Sequence, residues 1–396
     1  MKRLLYITVI SILIGNTIMK GQNIQQVIDE VRKNLAPDKR TAIFDISFEQ
    51  SSDKLILKGE VSDKEFKKEL IGQIQNLKGI NLIDSIEVLP SAKLGNKIYA
   101  LVNLSVCNIR SKPEHSAELA TQALMGTPLK IYKEEGGWYL VQTPDDYLGW
   151  VDDDGISLKT SKEMMAWLNS EKVIYAHFFG FIYSDKDFSV SISDAVGGNI
   201  FEKINKSDNY FEVKLPDGRI GFVKINEAKE FTQWFSNLSF KADDIIDVGK
   251  KMLGFPYLWG GTSFKGIDCS GYMKTIFFLN GLILPRDANQ QALIGEEILF
   301  DKEFSNLKPG DLIFFGRRGN QVRPERITHV GIYIGDKKFL HSSGRVRLDS
   351  FDKDDPNYNE YRLNTIVRIK RLLENKDLLE KLKIINNKFY TEEFYK

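Results

Sequence analysis

At 396 residues the chain is longer than one ordinary domain, and two to four domains are expected. Its 42% apolar content supports proper hydrophobic cores, and a formal net charge of +1 excludes the basic footprint of a nucleic-acid binder. Two distant cysteines exclude a disulfide framework.

Residues 1–21 read as an export signal, with a basic Met1-Lys-Arg3 followed by the apolar run Leu4 to Ile14. That run is short for a membrane span. No small-x-small cleavage pattern is evident in Asn16 to Gly21, so membrane association through an uncleaved segment stays open. No cysteine follows the apolar core, which argues against a lipid anchor.

Residues 22–92 read as a small α/β domain. Ile24 to Leu35 suits a helix, and Thr41 to Phe48 and Lys54 to Val61 suit strands. Asp63 to Leu77 places Phe66, Leu70, Ile74 and Leu77 at helical spacing, and Gly79 to Leu89 completes the set as a strand. Lys58-Gly-Glu-Val61, a helix, then Lys78-Gly-Ile80 and a strand distantly resembles the BON-type domains of bacterial envelopes. An insertion with a role of its own is the alternative.

Residues 98–228 contain an internal repeat. Gly137-Trp-Tyr-Leu-Val-Gln-Thr-Pro-Asp-Asp-Tyr-Leu-Gly-Trp-Val151 recurs as Asn209-Tyr-Phe-Glu-Val-Lys-Leu-Pro-Asp-Gly-Arg-Ile-Gly-Phe-Val223. Each copy reads as strand, Pro-Asp turn and strand. The two copies resemble bacterial SH3 (SH3b) domains, at 98–158 and 172–228. Asn108-Ile-Arg-Ser-Lys-Pro113 and Ala123-Leu-Met-Gly-Thr-Pro128 make the first the better match. Lys162 to Leu168 reads as a linking helix. Cys107, inside a strand, reads as structural, and His115 and His177 as packed or surface residues.

The chemistry gathers in residues 240–372. Gly254-Phe-Pro-Tyr-Leu-Trp-Gly-Gly leads to Asp268-Cys-Ser-Gly271 and an apolar run, Tyr272 to Leu279, stopped by Gly281. This is a loop feeding a helix, with Cys269 in the first turn. There the unpaired N–H groups favour a thiolate over a thiol. A cysteine alone is more often a packed small hydrophobe. Two of the four histidines change that balance. Ile327 to Ile334 alternates as a strand with His329, Gly331 and Tyr333 on one face. Gly335-Asp-Lys-Lys338 reads as a tight turn, and Phe339-Leu-His341 starts a second strand. With a loop of odd length, His329 and His341 share a face, and Gly331 leaves room between them. Nucleophile, base and orienting group are the minimum for thiol catalysis. One cysteine and two histidines lack the spacing of a zinc site, so no metal is expected.

Six blocks, Pro256-Tyr-Leu-Trp-Gly-Gly261, Asp268-Cys-Ser-Gly271, Leu284-Pro-Arg-Asp287, Lys308-Pro-Gly-Asp-Leu-Ile-Phe-Phe315, Thr328-His-Val-Gly-Ile-Tyr333 and Leu340-His-Ser-Ser343, resemble the NlpC-type cell-wall peptidases of bacteria. The resemblance implies a multidomain chain. An α+β papain-like catalytic domain follows two small all-β SH3b barrels and the small N-terminal α/β segment. It implies amide hydrolysis with Cys269 as nucleophile, His329 as base and His341 orienting the imidazole, without a cofactor. Backbone N–H groups near Cys269 are the candidate oxyanion donors. The periplasm or cell envelope of a bacterium is the expected location.

Two SH3b domains ahead of such a domain resemble the γ-D-glutamyl-L-diamino acid endopeptidases of dipeptidyl-peptidase VI type. These act on peptidoglycan peptides, L-Ala-γ-D-Glu-diamino acid, that have a free amino terminus. The resemblance implies substrate-binding roles for Asp268, Tyr257, Trp259 and Ser270, with Glu118 and Tyr147 supplied by the first SH3b domain. Asp268 would serve equally as a helix N-cap. A hydrolase of intact peptidoglycan with wall-binding SH3b modules, and a non-catalytic envelope-binding protein, are the alternatives. Arg317, Arg318, Arg323 and Arg326 read as a solvated loop, or as a cleft loop that meets a substrate carboxylate. The tail, 373–396, is charged and partly helical, with no chemistry evident.

Overall fold

The alternation between Thr41 and Val61 becomes an antiparallel pair, Phe44–Ser51 against Lys54–Val61. A computed structural model describes residues 24–51, 54–77 and 81–396. The expected export signal, and Lys78-Gly-Ile80 of the BON-like pattern, lie outside the described residues. No described helix is long and apolar enough to cross a membrane. The backbone divides into one unit up to Gly95, with Tyr132–Glu134, and another comprising Asn96–Ile131 and Glu135–Lys396.

In the first unit a third strand, Asn81–Val88, runs parallel to Lys54–Val61. A parallel neighbour needs a crossover, and the helix Lys64–Gln75 provides it. Asp63 starts that helix by accepting the Glu65 N–H at 2.9 Å. Its Leu70 and Ile74 close a core with Leu55, Leu57 and Ile86, joined by Ile24, Ile28 and Val31 of a helix over 24–35.

The second unit opens with two small β-domains, each a seven-stranded sheet. The repeated sequence gives repeated hairpins. Trp138–Gln142 pairs with Leu148–Asp152, and Tyr210–Lys214 pairs with Ile220–Lys224, in the same register at every position. The shared glycine is required by close approach. A Cβ on Gly149 would lie 2.5 Å from Ile109, and one on Gly221 would lie 2.6 Å from Ile182. Between the domains stands the helix Ser161–Asn169, closed by a Thr160/Glu163 capping box.

The last part is an antiparallel sheet in the spatial order Glu296–Glu297, Ile366–Arg371, Leu312–Arg317, Arg326–Gly335, Lys338–Ser343, Arg345–Ser350. The apolar run after Cys269 forms the helix Cys269–Phe278. Its Tyr272, Met273, Ile276 and Phe277 pack on Leu312, Phe314, Val330, Ile332 and Leu340 of the sheet. Each such side chain contributes about 1.5–3 kcal/mol by leaving water. The opposite face carries Phe315, Tyr333, Phe339 and Phe351.

The tail is more than a charged appendage. The helix Lys376–Leu382 is followed by three 3-10 turns that bury Ile384, Phe389 and Tyr395. Ile384 and Tyr395 join a core with Tyr99 and Leu101 of the first β-domain and with Trp167, Ile174 and Trp234. The sequence shows those apolar residues only at irregular spacing, which is why no periodicity announces them. The arginine run 317–326 is exposed to solvent.

Candidate active site

Asp268 holds the extended conformation of an N-cap and accepts the Gly271 N–H at 2.7 Å. Cys269 therefore begins the helix, 8% exposed. Gly271 is fixed by space, since a Cβ there would meet the Gly261 carbonyl at 2.0 Å. The backbone N–H groups of Ser270 and of Val330, the residue after His329, act to lower the Cys269 thiol. Val330 and the nucleophile helix share one core, which sets the histidine strand against that helix.

The histidines are aligned by the hairpin. Its turn is Asp336-Lys337, both with positive φ, which suits a two-residue type I′ loop. A register shift between Tyr333 and Gly335 adds one unpaired residue. The loop is thus even, not odd as expected from sequence, and the bulge restores the parity that puts both rings on one face. A Cβ on Gly331 would sit 3.2 Å from His341 Cβ, so only glycine leaves the rings free to meet. His329 Nε2 lies 2.7 Å from His341 Nδ1, and His341 Nε2 lies 3.0 Å from Asp349 Oδ2 on the next strand.

This chain of contacts decides the tautomers. Burial acts to raise the Asp349 carboxyl, but hydrogen bonds from His341 and Asn359 outweigh it and hold it down to about 2. An ionised carboxylate only accepts, so His341 carries its proton on Nε2 and offers a lone pair at Nδ1. His329 then donates from Nε2, which leaves its Nδ1 as the bare nitrogen, ready to act as a base. Burial, then Arg362, push His329 well below the usual imidazole range, so the base is neutral at rest.

One wall of the site is a buried ion pair. Arg286, 1% exposed, donates to Asp268 Oδ2 at 2.6 Å, to Ser270 Oγ at 2.9 Å and to Thr121 Oγ1 of the first β-domain at 3.0 Å. Gly260 N–H also reaches Asp268, at 3.0 Å. Asp268 thus caps the helix and neutralises Arg286, and both its oxygens are engaged. The first β-domain docks here through polar contacts. Gln122 Oε1 accepts from Thr262 N–H and Ser263 Oγ, both at 3.0 Å. Gly260, at φ +79°, comes so close that a Cβ would lie 2.1 Å from the Leu119 carbonyl. Two further contacts cross the same boundary. Trp259 Nε1 donates to Glu118 Oε1 at 2.7 Å, and Tyr147 OH donates to Asp287 Oδ2 at 3.0 Å. Tyr257 lies within electrostatic reach of Cys269, and burial raises its phenol.

A thiol beside a hydrogen-bonded His–His–Asp relay is the equipment of a cysteine hydrolase, and the comparisons with known proteins agree. The NlpC/P60 family model matches residues 254–367, and that of the bacterial dipeptidyl-peptidase Sh3 domain matches residues 109–156. The γ-D-glutamyl-L-lysine dipeptidyl-peptidase of Bacillus subtilis is 33% identical, over 57% of this chain and 72% of that protein. The chain belongs to the NlpC/P60 family. Dipeptidyl-peptidase 6 of Lysinibacillus sphaericus is 28% identical over 68% of this chain and 98% of that protein. The crystal structure of an NlpC/P60 family protein from Bacillus cereus shares the fold, with TM-score 0.59 and 24% identity, over 69% of this chain and 99% of that one.

One expectation about this NlpC/P60 cysteine is corrected. Burial, then the Asp268 carboxylate, push the Cys269 thiol up to about 11. The N–H groups of Val330 and Ser270 and the charge of Arg286 act the other way and are outweighed. The resting pair is therefore a neutral thiol and a neutral imidazole. The helix terminus was judged from sequence without the desolvation that accompanies an 8% exposed residue.

Sequence reasoning assigned no role to four polar residues at this NlpC/P60 site: Asp349 and Arg362, and Arg286 and Asp287 of the Leu284-Pro-Arg-Asp287 block. Arg286 stood in plain view after Leu282-Ile-Leu-Pro, where a cation in an apolar run signals burial with a partner. Asp349 lies on the same face as His341 one strand further on, since His341 pairs with Arg347. That register becomes readable only once the strand Arg345–Ser350 is known.

Proposed function

We propose that this NlpC/P60 hydrolase cleaves the γ-D-glutamyl-L-diamino acid bond of peptidoglycan-derived peptides that have a free amino-terminal L-Ala. Cys269 Sγ attacks the γ-carbonyl carbon as its proton passes to His329 Nδ1. The Cys269 N–H and the Tyr257 OH are suited to hold the oxyanion, because the cap at Gly271 leaves the first helical N–H unpaired within the helix. Collapse expels the amine, which takes the proton from His329, and leaves a thioester. Water then adds to the thioester with His329 again as base, which frees the dipeptide carboxylate and the thiol. Asp349 and His341 keep the reactive tautomer throughout.

The reading rests on one observation: Glu118 and Tyr147 of the first β-domain are hydrogen-bonded to Trp259 and Asp287 beside the nucleophile loop. A free amine is a cation and needs carboxylates when desolvated, and Glu118 and Asp287 are suited to supply them. A β-domain in that position also leaves little room for sugar ahead of L-Ala. The test compares kcat/KM for L-Ala-γ-D-Glu-diaminopimelate with that of its N-acetyl form, fragments being identified by mass. Strong preference for the free amine is expected. Equal rates would point instead to a general hydrolase of intact wall.

We further propose that residues 1–21 direct the chain to the periplasm or envelope. The mature amino terminus, sequenced from fractionated cells, checks this, and an intact Met1 on cytoplasmic protein would refute it.

A further inference from the structure

Arg362 stands out among the charged groups near the thiol. It belongs to the short helix Glu360–Asn364, whose cap Asn359 accepts the Arg362 N–H at 3.0 Å and donates to Asp349 at 2.5 Å. The helix is therefore tied to the end of the relay. From there the guanidinium reaches over the Phe315 ring, 5.4 Å from its centroid, and the same ring lies 5.6 Å from the His329 imidazole. Its charge acts on Cys269, Tyr257 and both histidines.

Four other arginines of this domain have carboxylate partners. Arg286 pairs with Asp268, Arg347 with Asp349, Arg368 with Glu325 and Arg371 with Asp311. Among the described residues no carboxylate forms an ion pair with Arg362. Asp349, whose charge acts on it, already serves His341, Asn359 and Arg347. A half-buried guanidinium with no counter-ion, within electrostatic reach of the thiol and sharing the Phe315 ring with the base, is a site prepared for an incoming anion.

The chemistry of the reaction says which anion. The leaving nitrogen must face His329 to collect its proton. The carbon attached to that nitrogen bears the α-carboxyl of the diamino acid. Arg362 shares Phe315 with His329, which puts the cation on the histidine side of the site. With the amine held at Glu118, the acyl half would run the other way and the carboxyl would arrive on the histidine side. Resting on the peptidase reading above, we propose that Arg362 binds the α-carboxylate of the diamino acid on the leaving side, so that the chain prefers peptides that end at that residue. A planar guanidinium can grip a carboxylate with two parallel N–H bonds, and a carboxamide forfeits one bond and the charge. The site then measures its substrate from both ends, amine at the first β-domain and carboxylate at Arg362.

The test uses L-Ala-γ-D-Glu-diaminopimelate with the carboxyl next to the scissile amide either free or converted to a carboxamide. Both are assayed with the full chain as wild type, Arg362→Gln and Arg362→Lys, circular dichroism confirming the fold. The wild type should favour the free acid by about 10- to 100-fold in kcat/KM, mainly through KM. In Arg362→Gln the ratio should fall near one, with partial recovery in Arg362→Lys. A wild-type ratio near one, or a ratio that Arg362→Gln leaves unchanged while both rates fall, overturns the proposal and assigns Arg362 to the thiol or the fold. A wild type that cuts neither peptide overturns the peptidase reading and the proposal with it, whereas equal cutting of both overturns the proposal alone.

Discussion

In the first β-domain the hairpin turn between Gln142 and Leu148 carries Tyr147 to Asp287 of the catalytic domain. In the second, the turn between Lys214 and Ile220 carries Arg219 in the corresponding place, and it bonds to Asp217 and to the Ile192 carbonyl within its own domain. Strand pairing is the same in both, down to the glycine that admits a neighbouring isoleucine. What differs is the residue at the tip and what it meets. A hairpin register is set by turn length and by the pattern of buried side chains, and these tolerate a change at an outward position. The hairpin thus recurs without the contact to the catalytic domain. The second domain packs against the first, where a Cβ on Gly126 would lie 2.1 Å from the Ile200 carbonyl, and serves as its buttress.

The contrast can be tested from the strongest effect downward. Cys269→Ala should abolish turnover, a loss of at least about a thousandfold, with thermal unfolding little changed. Neither β-domain can substitute for the nucleophile, and residual activity in that variant would break the whole assignment. His329→Ala should come close to it. Asp349→Asn should lose about 10- to 100-fold in kcat, since an amide can hydrogen-bond His341 in the wrong tautomer.

Next come the contacts made by the first β-domain. Glu118→Ala should cost about 1.5–3 kcal/mol in kcat/KM for the free-amine peptide, as expected for a hydrogen bond between charged groups. The N-acetyl peptide should show no such loss. Tyr147→Phe should cost about 1.5–3 kcal/mol, as expected for one hydrogen bond to a charged group. Arg219→Ala, its counterpart in the second domain, should change kcat/KM by less than about twofold. Equal losses at Tyr147 and Arg219 would erase the distinction between the domains.

A pH series sharpens the same picture. His329 and His341 are buried neutral, with burial the first cause of a lowered value in each. A lowered imidazole contributes stability that is complete above the ordinary value of 6.5 and is lost as pH falls through the folded values. The urea midpoint should therefore drop below pH 6.5, less steeply in His341→Ala. Activity should keep its plateau to pH values under 6.5 before the base is protonated, and an acid limb at or above 6.5 would contradict the neutral relay.

Where the sequence was legible, local chemistry carried the information. The Asp-Cys-Ser-Gly turn needs a cap before and a glycine after, and the repeated Pro-Asp hairpins need matching partners, so both show in a single stretch of chain. The α/β order of the first unit followed from helical and alternating spacing in the same way. Contacts between distant segments did not show. Arg286 with Thr121, Tyr147 with Asp287 and Arg362 over Phe315 each join residues whose spacing carries no signal. The arginines of residues 317–326 drew notice because they cluster, yet they face solvent, and the half-buried cation without a carboxylate partner is a single arginine in a polar helix.

The tail has a consequence for how the molecule is made. Tyr99 OH donates to the Phe394 carbonyl at 3.1 Å, a partner 295 positions away. Asn387 Nδ2 donates to the Pro144 carbonyl at 2.7 Å, at the turn that presents Tyr147. A chain emerges from the ribosome in order, and contacts of such high sequence separation close late and slowly. The core around Tyr99 and Leu101 cannot be completed until residues 384–395 exist. The first β-domain thus waits, unfinished, through the synthesis of almost everything that follows it. In a hydrolase assembled this way, the face that presents Glu118 and Tyr147 to the catalytic domain is completed late.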